Sequence, residues 1–229
     1  MEKHITHTKA LSRFIQILDT SFPSGSFIHS FGLEPHVLLE KVSDAKSLKI
    51  FLENLIIDQY IKMEFVFSKK IYKLFQKNDL RQILKEDNKY SAMLNFDFSK
   101  ASSDLGHNYL KQINFNIKKN IVKKYFQEVK NKNSDGNELA ILSAYAYELE
   151  LDIEVFLLLW CKKNIINISQ SALKISRIKP SDIQKLLFEF DEKIDTFIEA
   201  SGGKIENFNP LFEEAIYQHK NLVPKMFVT

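Results

Sequence analysis

Apolar residues in this chain recur three and four positions apart along most of its length, and few residues interrupt them. That spacing puts them on one face of a 3.6-residue helix, whereas a half-buried strand needs strict alternation. Only six glycines and five prolines stand among 229 residues. That is too few for the turn-dense architectures of sandwiches and barrels, and it disfavours glycine-rich phosphate loops. The pattern predicts an all-α protein, a single compact helical domain over residues 1–229 built from about nine to ten helices.

Leu11, Phe14, Ile15 and Leu18 predict a first helix whose face ends at Asp19, followed by a turn-rich segment over 19–32. Asp44 is a candidate cap for a long helix carrying Leu48, Phe51, Leu52, Leu55, Ile56, Met63, Ile71, Leu74 and Phe75. A shorter helix from Asp79 would bury Leu80, Ile83 and Leu84. Ser102 and Gly106 then lie one turn apart, and a glycine inside a helix costs about 1 kcal/mol relative to alanine. Gly106 is therefore read as a point of close packing. Ser134, Asp135 and Gly136 form a turn signal before a face of Ala140, Ser143, Ala144, Tyr147 and Leu151.

Asp152 can cap the next helix, whose run from Val155 to Trp160 is apolar on every side and predicts a central position. Ser181 and Gln184 match a capping box, with Ile183, Leu187, Phe190, Ile194, Phe197 and Ile198 behind it and Gly202 and Gly203 as a left-handed stop. The tail, 209–229, ends in Met226, Phe227 and Val228. An apolar chain end implies docking, either on its own core or on a partner.

Hydrophobic residues at 45% and charged residues at 27% fit a globular chain and argue against disorder. The net charge of +3 does not point to nucleic acid. Lys118, Lys119, Lys123, Lys124, Lys130 and Lys132 read as a solvated face, with Tyr125 and Phe126 spaced to face a core. The single Cys161 has no internal disulfide partner and sits beside an apolar run, so a buried thiol in a reducing compartment is expected. Residues 1–9 lack the apolar core of a signal peptide, and no apolar run approaches the roughly 20 residues of a membrane span. The expectation is a cytoplasmic protein without a membrane partner.

No phosphate-loop, dinucleotide, nucleophile-elbow or paired-histidine zinc motif occurs in the chain. His4 and His7 are the histidines spaced to share a metal, and no metal site is expected there. His29 and Glu34 are the acid or base candidates, and both read better as hydrogen-bonded scaffolding, so no catalytic residue is expected.

The segment holding Asp19, Phe22, Pro23, Gly25, Phe27, His29, Ser30, Gly32, Leu33 and Glu34 resembles the N-terminal signature of the UreF family, roughly D-S-x-x-P-T-G-G-F-x-H-S-x-G-L-E. Ser102, Leu105 and Gly106 resemble that family's S-x-x-M-G helix. Leu149 to Glu154 resembles its L-G-x-D-x-E corner, with Glu150 in place of the glycine, and Ser169, Ala172 and Gln184 fall in register. The tail with His219, Lys225 and Phe227 resembles the closing H-E-x-x-x-x-R-L-F-x-S.

The resemblance implies a non-catalytic, homodimeric scaffold that binds UreD (also called UreH), recruits the GTPase UreG and helps load nickel into apo-urease. It implies no cofactor in this chain, nickel being handled by the complex, and a tail over 209–229 that engages UreD. The chain departs from the pattern at Arg177, Ile178, Lys179 and Pro180, which stand for P-L-G-Q. Asn137 and Glu138 stand for His-Pro, Ser99 for an arginine, and Lys220 for the tail glutamate. The alternative reading is a divergent helical interaction module that keeps the fold but serves another partner.

Overall fold

The computed structural model describes residues 7–19, 32–114, 116–206 and Glu214. Among these residues every regular element is helical. The helices are α1 (His7–Leu18), α2 (Leu33–Leu38), α3 (Ala45–Leu55), α4 (Phe65–Gln76), α5 (Leu80–Met93), α6 (Phe96–Ile113), α7 (Asn120–Lys130), α8 (Glu138–Glu148), α9 (Ile153–Ile175) and α10 (Pro180–Ala200). A π-helical segment, Ile56–Glu64, joins α3 to α4 without a break. Counting that continuous run as one helix leaves nine helices among the described residues, and the all-α expectation holds.

The chain folds into two compact units, each discontinuous in sequence. The first is Met1–Ser24 with Val66–Leu159, and the second is Gly25–Phe65 with Trp160–Thr229. In the first unit α6 packs along α8, α5 and α8 flank α7, and α1 lies on α6. Phe14 of α1 is fully buried, stacked 6.2 Å from Tyr145 and edge-on 5.4 Å from Phe156. Removing such a side chain from water contributes roughly 1.5–3 kcal/mol. A second aromatic group joins Phe75 to Tyr125 and Tyr147.

The face of α1 differs from the expected one. Ala10, Phe14, Ile17 and Leu18 are buried, while Ile15 is 53% exposed. Both choices satisfy helical spacing, and Ile17, three residues after Phe14, takes the inward place expected for Ile15.

In the second unit α3, the π segment and α10 pack together. Asp44 caps α3 as expected: its carboxylate accepts from Ser47 N at 2.8 Å, and Ser47 Oγ accepts from Asp44 N at 3.1 Å. The Ser47 hydroxyl, which donates to Asp44 Oδ1 at 2.7 Å, and then the Ser47 amide hold the Asp44 carboxyl below its usual range. Lys193 reaches across from α10 to Glu53 at 2.6 Å.

The π segment was not foreseen, because a π turn leaves no mark on a hydrophobic pattern read at 3.6 residues per turn. Its i→i+5 geometry is used by Gln59, whose Nε2 donates to Glu64 Oε1 at 2.9 Å, both side chains being buried. The carbonyl of Lys62 accepts from Glu206 N at 3.0 Å, so the chain beyond α10 is tied to this segment. Tyr60 of the segment lies 4.9 Å from Trp160, ring centre to ring centre.

Two helix boundaries correct the sequence reading. The expected capping box of Ser181 and Gln184 does not form. Instead α10 starts at Pro180 with Lys179 as its N-cap, and no side chain caps it. Proline suits the first helical position because its missing N–H has no partner there in any case. At the other end, Ser201 leaves the helix in extended conformation (φ −78°, ψ 123°) and its hydroxyl donates to Ile198 O at 2.6 Å. Gly203, at φ 86°, follows two residues later rather than making the stop itself.

Candidate functional site

Of the N-terminal motif, Phe22, Pro23, Gly25, Phe27, His29 and Ser30 lie outside the described residues, as do the tail residues His219, Lys225 and Phe227. Asp19 is exposed and closes α1, its backbone N–H donating to Ile15 O at 3.0 Å. Gly32, Leu33 and Glu34 make the start of α2. Gly32 is the N-cap at φ 78°, ψ 4°, in the left-handed region, where an L-residue is strained by roughly 1–2 kcal/mol. Leu33 and Glu34 are both buried, and a carboxylate in the first turn of a helix is favoured by the partial positive charge there. His36 Nδ1–H donates to Gly32 O at 2.8 Å, and its ring stands edge-on to Phe51 at 5.0 Å. This end of the motif therefore fixes backbone and packing.

The Ser102/Gly106 pair does what its spacing predicts. A Cβ placed on Gly106 would lie 1.9 Å from Gly136 O and 2.9 Å from Asn137 C, so α6 meets the loop before α8 backbone to backbone. Ser102 Oγ accepts from Glu138 N at 3.3 Å, satisfying one of the free amides at the start of α8.

The same loop is held from its other side by Asp87 of α5, which no motif had marked. Asp87 is fully buried. Its Oδ2 accepts from Tyr125 OH at 2.8 Å, Ser134 Oγ at 2.7 Å and Gly136 N at 2.9 Å. Its Oδ1 accepts from Asn137 N at 3.2 Å and Asn137 Nδ2 at 2.7 Å. Burial pushes the Asp87 carboxyl up, and the bonds from Ser134, Asn137, Tyr125 and Gly136 oppose it. Burial, with the Asp87 charge beside it, also holds the Tyr125 phenol well above its usual value. Asn137, one of the two residues in place of the family's His-Pro, is thus an integral partner of this network. A signal for Asp87 was present in the sequence: it stands four residues after Ile83 and three before Tyr90, on the buried stripe of α5.

The corner over 149–154 explains another departure. Glu150, which replaces a glycine of the family pattern, has φ 57°. It holds the left-handed position that commonly ends a helix, here α8. Its carboxylate pairs with Lys119 Nζ at 3.2 Å, and that ammonium lies 4.6 Å from the centre of the Tyr147 ring. Leu151 O accepts from Tyr72 OH at 2.8 Å, and Asp152 Oδ1 caps α9 by accepting from Glu154 N at 2.8 Å.

In the second unit Arg177 and Lys179 are exposed on the loop into α10, and Gln184 is exposed in its first turns, while Ile178 between the two cations is buried. The structure brings these three polar residues to one helix start. Ser169 and Ala172 are buried within α9. Cys161 is buried, and burial pushes its thiol up, away from the reactive thiolate. Lys123, Lys124, Lys130 and Lys132 are exposed, and Tyr125 and Phe126 face the core. Among the described residues no group of three or more His, Cys, Asp or Glu side chains is placed to hold a metal ion. No helix among them is long and apolar enough to cross a membrane.

These features define an all-helical protein whose described motif residues chiefly set helix ends and close contacts between helices. A sequence profile of the UreF family matches residues 42–191, and the chain belongs to the UreF family. A protein of Bacillus sp. (strain TB-90) named urease accessory protein UreF is 24% identical over 231 aligned residues, which cover 96% of this chain and 99% of that protein. A protein of the same name from Ureaplasma parvum serovar 3 is 24% identical over 180 residues, covering 76% of this chain and 75% of its own. One from Ureaplasma urealyticum serovar 10 is 24% identical over 191 residues, covering 79% and 80%.

Proposed function

We propose that this chain is a urease accessory protein, a homodimeric, non-catalytic cytoplasmic scaffold that acts with UreD/UreH and the GTPase UreG to load nickel into the urease apoprotein. The observation that carries this reading is the family match together with end-to-end alignment to a protein named urease accessory protein UreF. GTP hydrolysis belongs to UreG in this scheme, with the scaffold modulating it, and nickel passes through the complex as cargo.

The geometry supports a division of labour within the chain. Gly32, Leu33, Glu34, Ser102 and Gly106 serve the fold. Arg177, Lys179 and Gln184, exposed together at the start of α10, are free to contact a partner, and the tail over 209–229 supplies a second contact, to UreD. The whole forms one UreF-like functional domain. The test is to purify the tagged protein from its own urease-positive cells and identify the co-purifying chains by mass spectrometry. UreD, UreG or urease subunits are expected. Reproducible recovery of unrelated proteins without any of these would overturn the proposal and favour the divergent interaction module.

A further inference from the structure

The first unit contains a cleft of about 500 Å³ that no part of the proposed scaffold role uses. Arg13 and Gln16 of α1, Lys111 and Gln112 from the last turn of α6, Asn116 and Tyr145 line it. Among the described residues the lining thus holds two cations, three amides and a phenol, and no carboxylate. Neither Arg13 nor Lys111 makes an ion pair with another described residue, and the one bond of Lys111 is a long one, 3.3 Å, to Asn108 Oδ1. Ile17 and Ile113 complete the wall with apolar surface, which strengthens a charge interaction by excluding water. The volume is in the range of ordinary ligand sites.

Tyr145 gives the cleft a fixed wall. It is buried and stacked on Phe14, so its ring is fixed. Burial raises its phenol pKa, while the charge of Arg13 lowers it and that of Glu148 raises it. Glu148 itself is engaged elsewhere: its two oxygens accept the backbone amides of Lys118 and Lys119 at 2.7 and 2.9 Å.

The donor set also selects among anions. Phosphate sites draw on the amides of a helix N-terminus or a backbone nest. Here α6 presents its C-terminal turn, the end that carries partial negative charge. A guanidinium fork and an ammonium serve carboxylate and phosphate alike, but the negative helix end opposes a doubly charged phosphate more than a singly charged planar group. We propose that this cleft binds a carboxylate, carried either by a free small dicarboxylate or by an acidic side chain on a peptide segment of another protein.

The test uses the full ¹⁵N-labelled chain at low salt, titrated with succinate, with its uncharged counterpart succinamide, with inorganic phosphate, and with a short glutamate-containing peptide and its glutamine analogue. Saturable shifts of the Gln112, Asn116 and Tyr145 amides are expected, with Kd on the order of 1 mM for succinate or for the acidic peptide and none for the uncharged probes. Binding of succinate identifies a free carboxylate as sufficient, and binding of the peptide alone assigns the site to a protein segment. R13Q and K111Q, at exposed positions that keep the melting temperature, should each weaken the binding at least about tenfold. No saturable shift with either carboxylate probe, unchanged affinity in both variants, or tighter binding of phosphate than of succinate would overturn the assignment.

Discussion

Replacing Gly106 by alanine isolates the backbone contact between α6 and the loop before α8. On helix propensity alone the substitution should stabilise by about 1 kcal/mol. The structure reverses that sign. The new Cβ would sit 1.9 Å from Gly136 O, 2.9 Å from Asn137 C and 3.0 Å from Glu138 N, all backbone atoms with no rotamer to escape through. Restoring ordinary van der Waals separation moves the loop by about 1.5 Å. That displacement breaks the bonds from Gly136 N and Asn137 N to the Asp87 carboxylate, now 2.9 and 3.2 Å long.

Overpacking costs about 1–3 kcal/mol, and loosening hydrogen bonds to a buried charge costs about 1.5–3 kcal/mol more. After the propensity gain the net loss is roughly 3 kcal/mol, or about 6–12 °C in melting temperature for a chain of this size. Gly202→Ala is the control, since no described residue lies within 4 Å of its added Cβ. It should fall within about 0.5 kcal/mol of the parent. Thermal and urea melts followed by circular dichroism read both variants. If Gly106→Ala melts within about 2 °C of the parent, the shift of a single kcal/mol, the claim that backbone contact sets this packing is wrong.

Asp87→Asn replaces one acceptor oxygen by an amide donor facing other donors, and should lower urea stability by roughly 2–4 kcal/mol. Because burial raises the Asp87 carboxyl above its usual value of 3.8, the folded state binds the proton more tightly than the unfolded one. Its contribution to stability is present below that value and is lost as pH rises through the raised one. The stability of the parent between about pH 4 and pH 7 should therefore carry a downward component that is missing in Asp87→Asn; identical slopes would refute the assignment. Glu150→Gly relieves a left-handed residue at a cost of one half-exposed ion pair to Lys119, and should raise the melting temperature by the equivalent of about 1 kcal/mol. Removal of residues from 209 onward should abolish capture of UreD in a pull-down while the far-ultraviolet signal per residue is retained, and undiminished capture would locate that contact elsewhere.

The helical class and most of the helix faces were readable because burial imposes a 3.6-residue period that few breakers disturb. Leu48, Leu52, Leu55, Phe190, Ile194 and Ile198 all face inward as their spacing requires. Gly106 was readable for a different reason, since an unfavourable residue kept in mid-helix has to be offset by something it allows. Features that depend on the partner of a residue were not readable. Asp87 stands in register with the buried stripe of α5, but what holds an acid there is not readable until the loop carrying Ser134, Gly136 and Asn137 is brought to it. The capping box at Ser181 is a valid local pattern, but Pro180 started the helix earlier. The division into two units was hidden as well, because each is assembled from segments far apart in the sequence.

The departures from the family pattern separate into two kinds. At Glu150 and Asn137 the changed residue is built into the fold, as a left-handed helix end steadied by Lys119 in one case and as a loop residue fastened to Asp87 in the other. Such changes are absorbed inside the unit and require nothing of a partner. At Arg177 and Lys179 the new side chains are exposed and bond to no other described residue, while Ile178 between them remains in the core. A loop whose apolar residue is inward and whose neighbours are surface cations presents a charge that the family pattern lacks. If the scaffold reading is right, a partner that meets this loop has to complement those cations with acidic or polar groups. Charge reversal at Arg177 and Lys179 should then weaken that partner's binding in a salt-dependent way without lowering the melting temperature, and a melting temperature that falls with them would move these residues into the structural group.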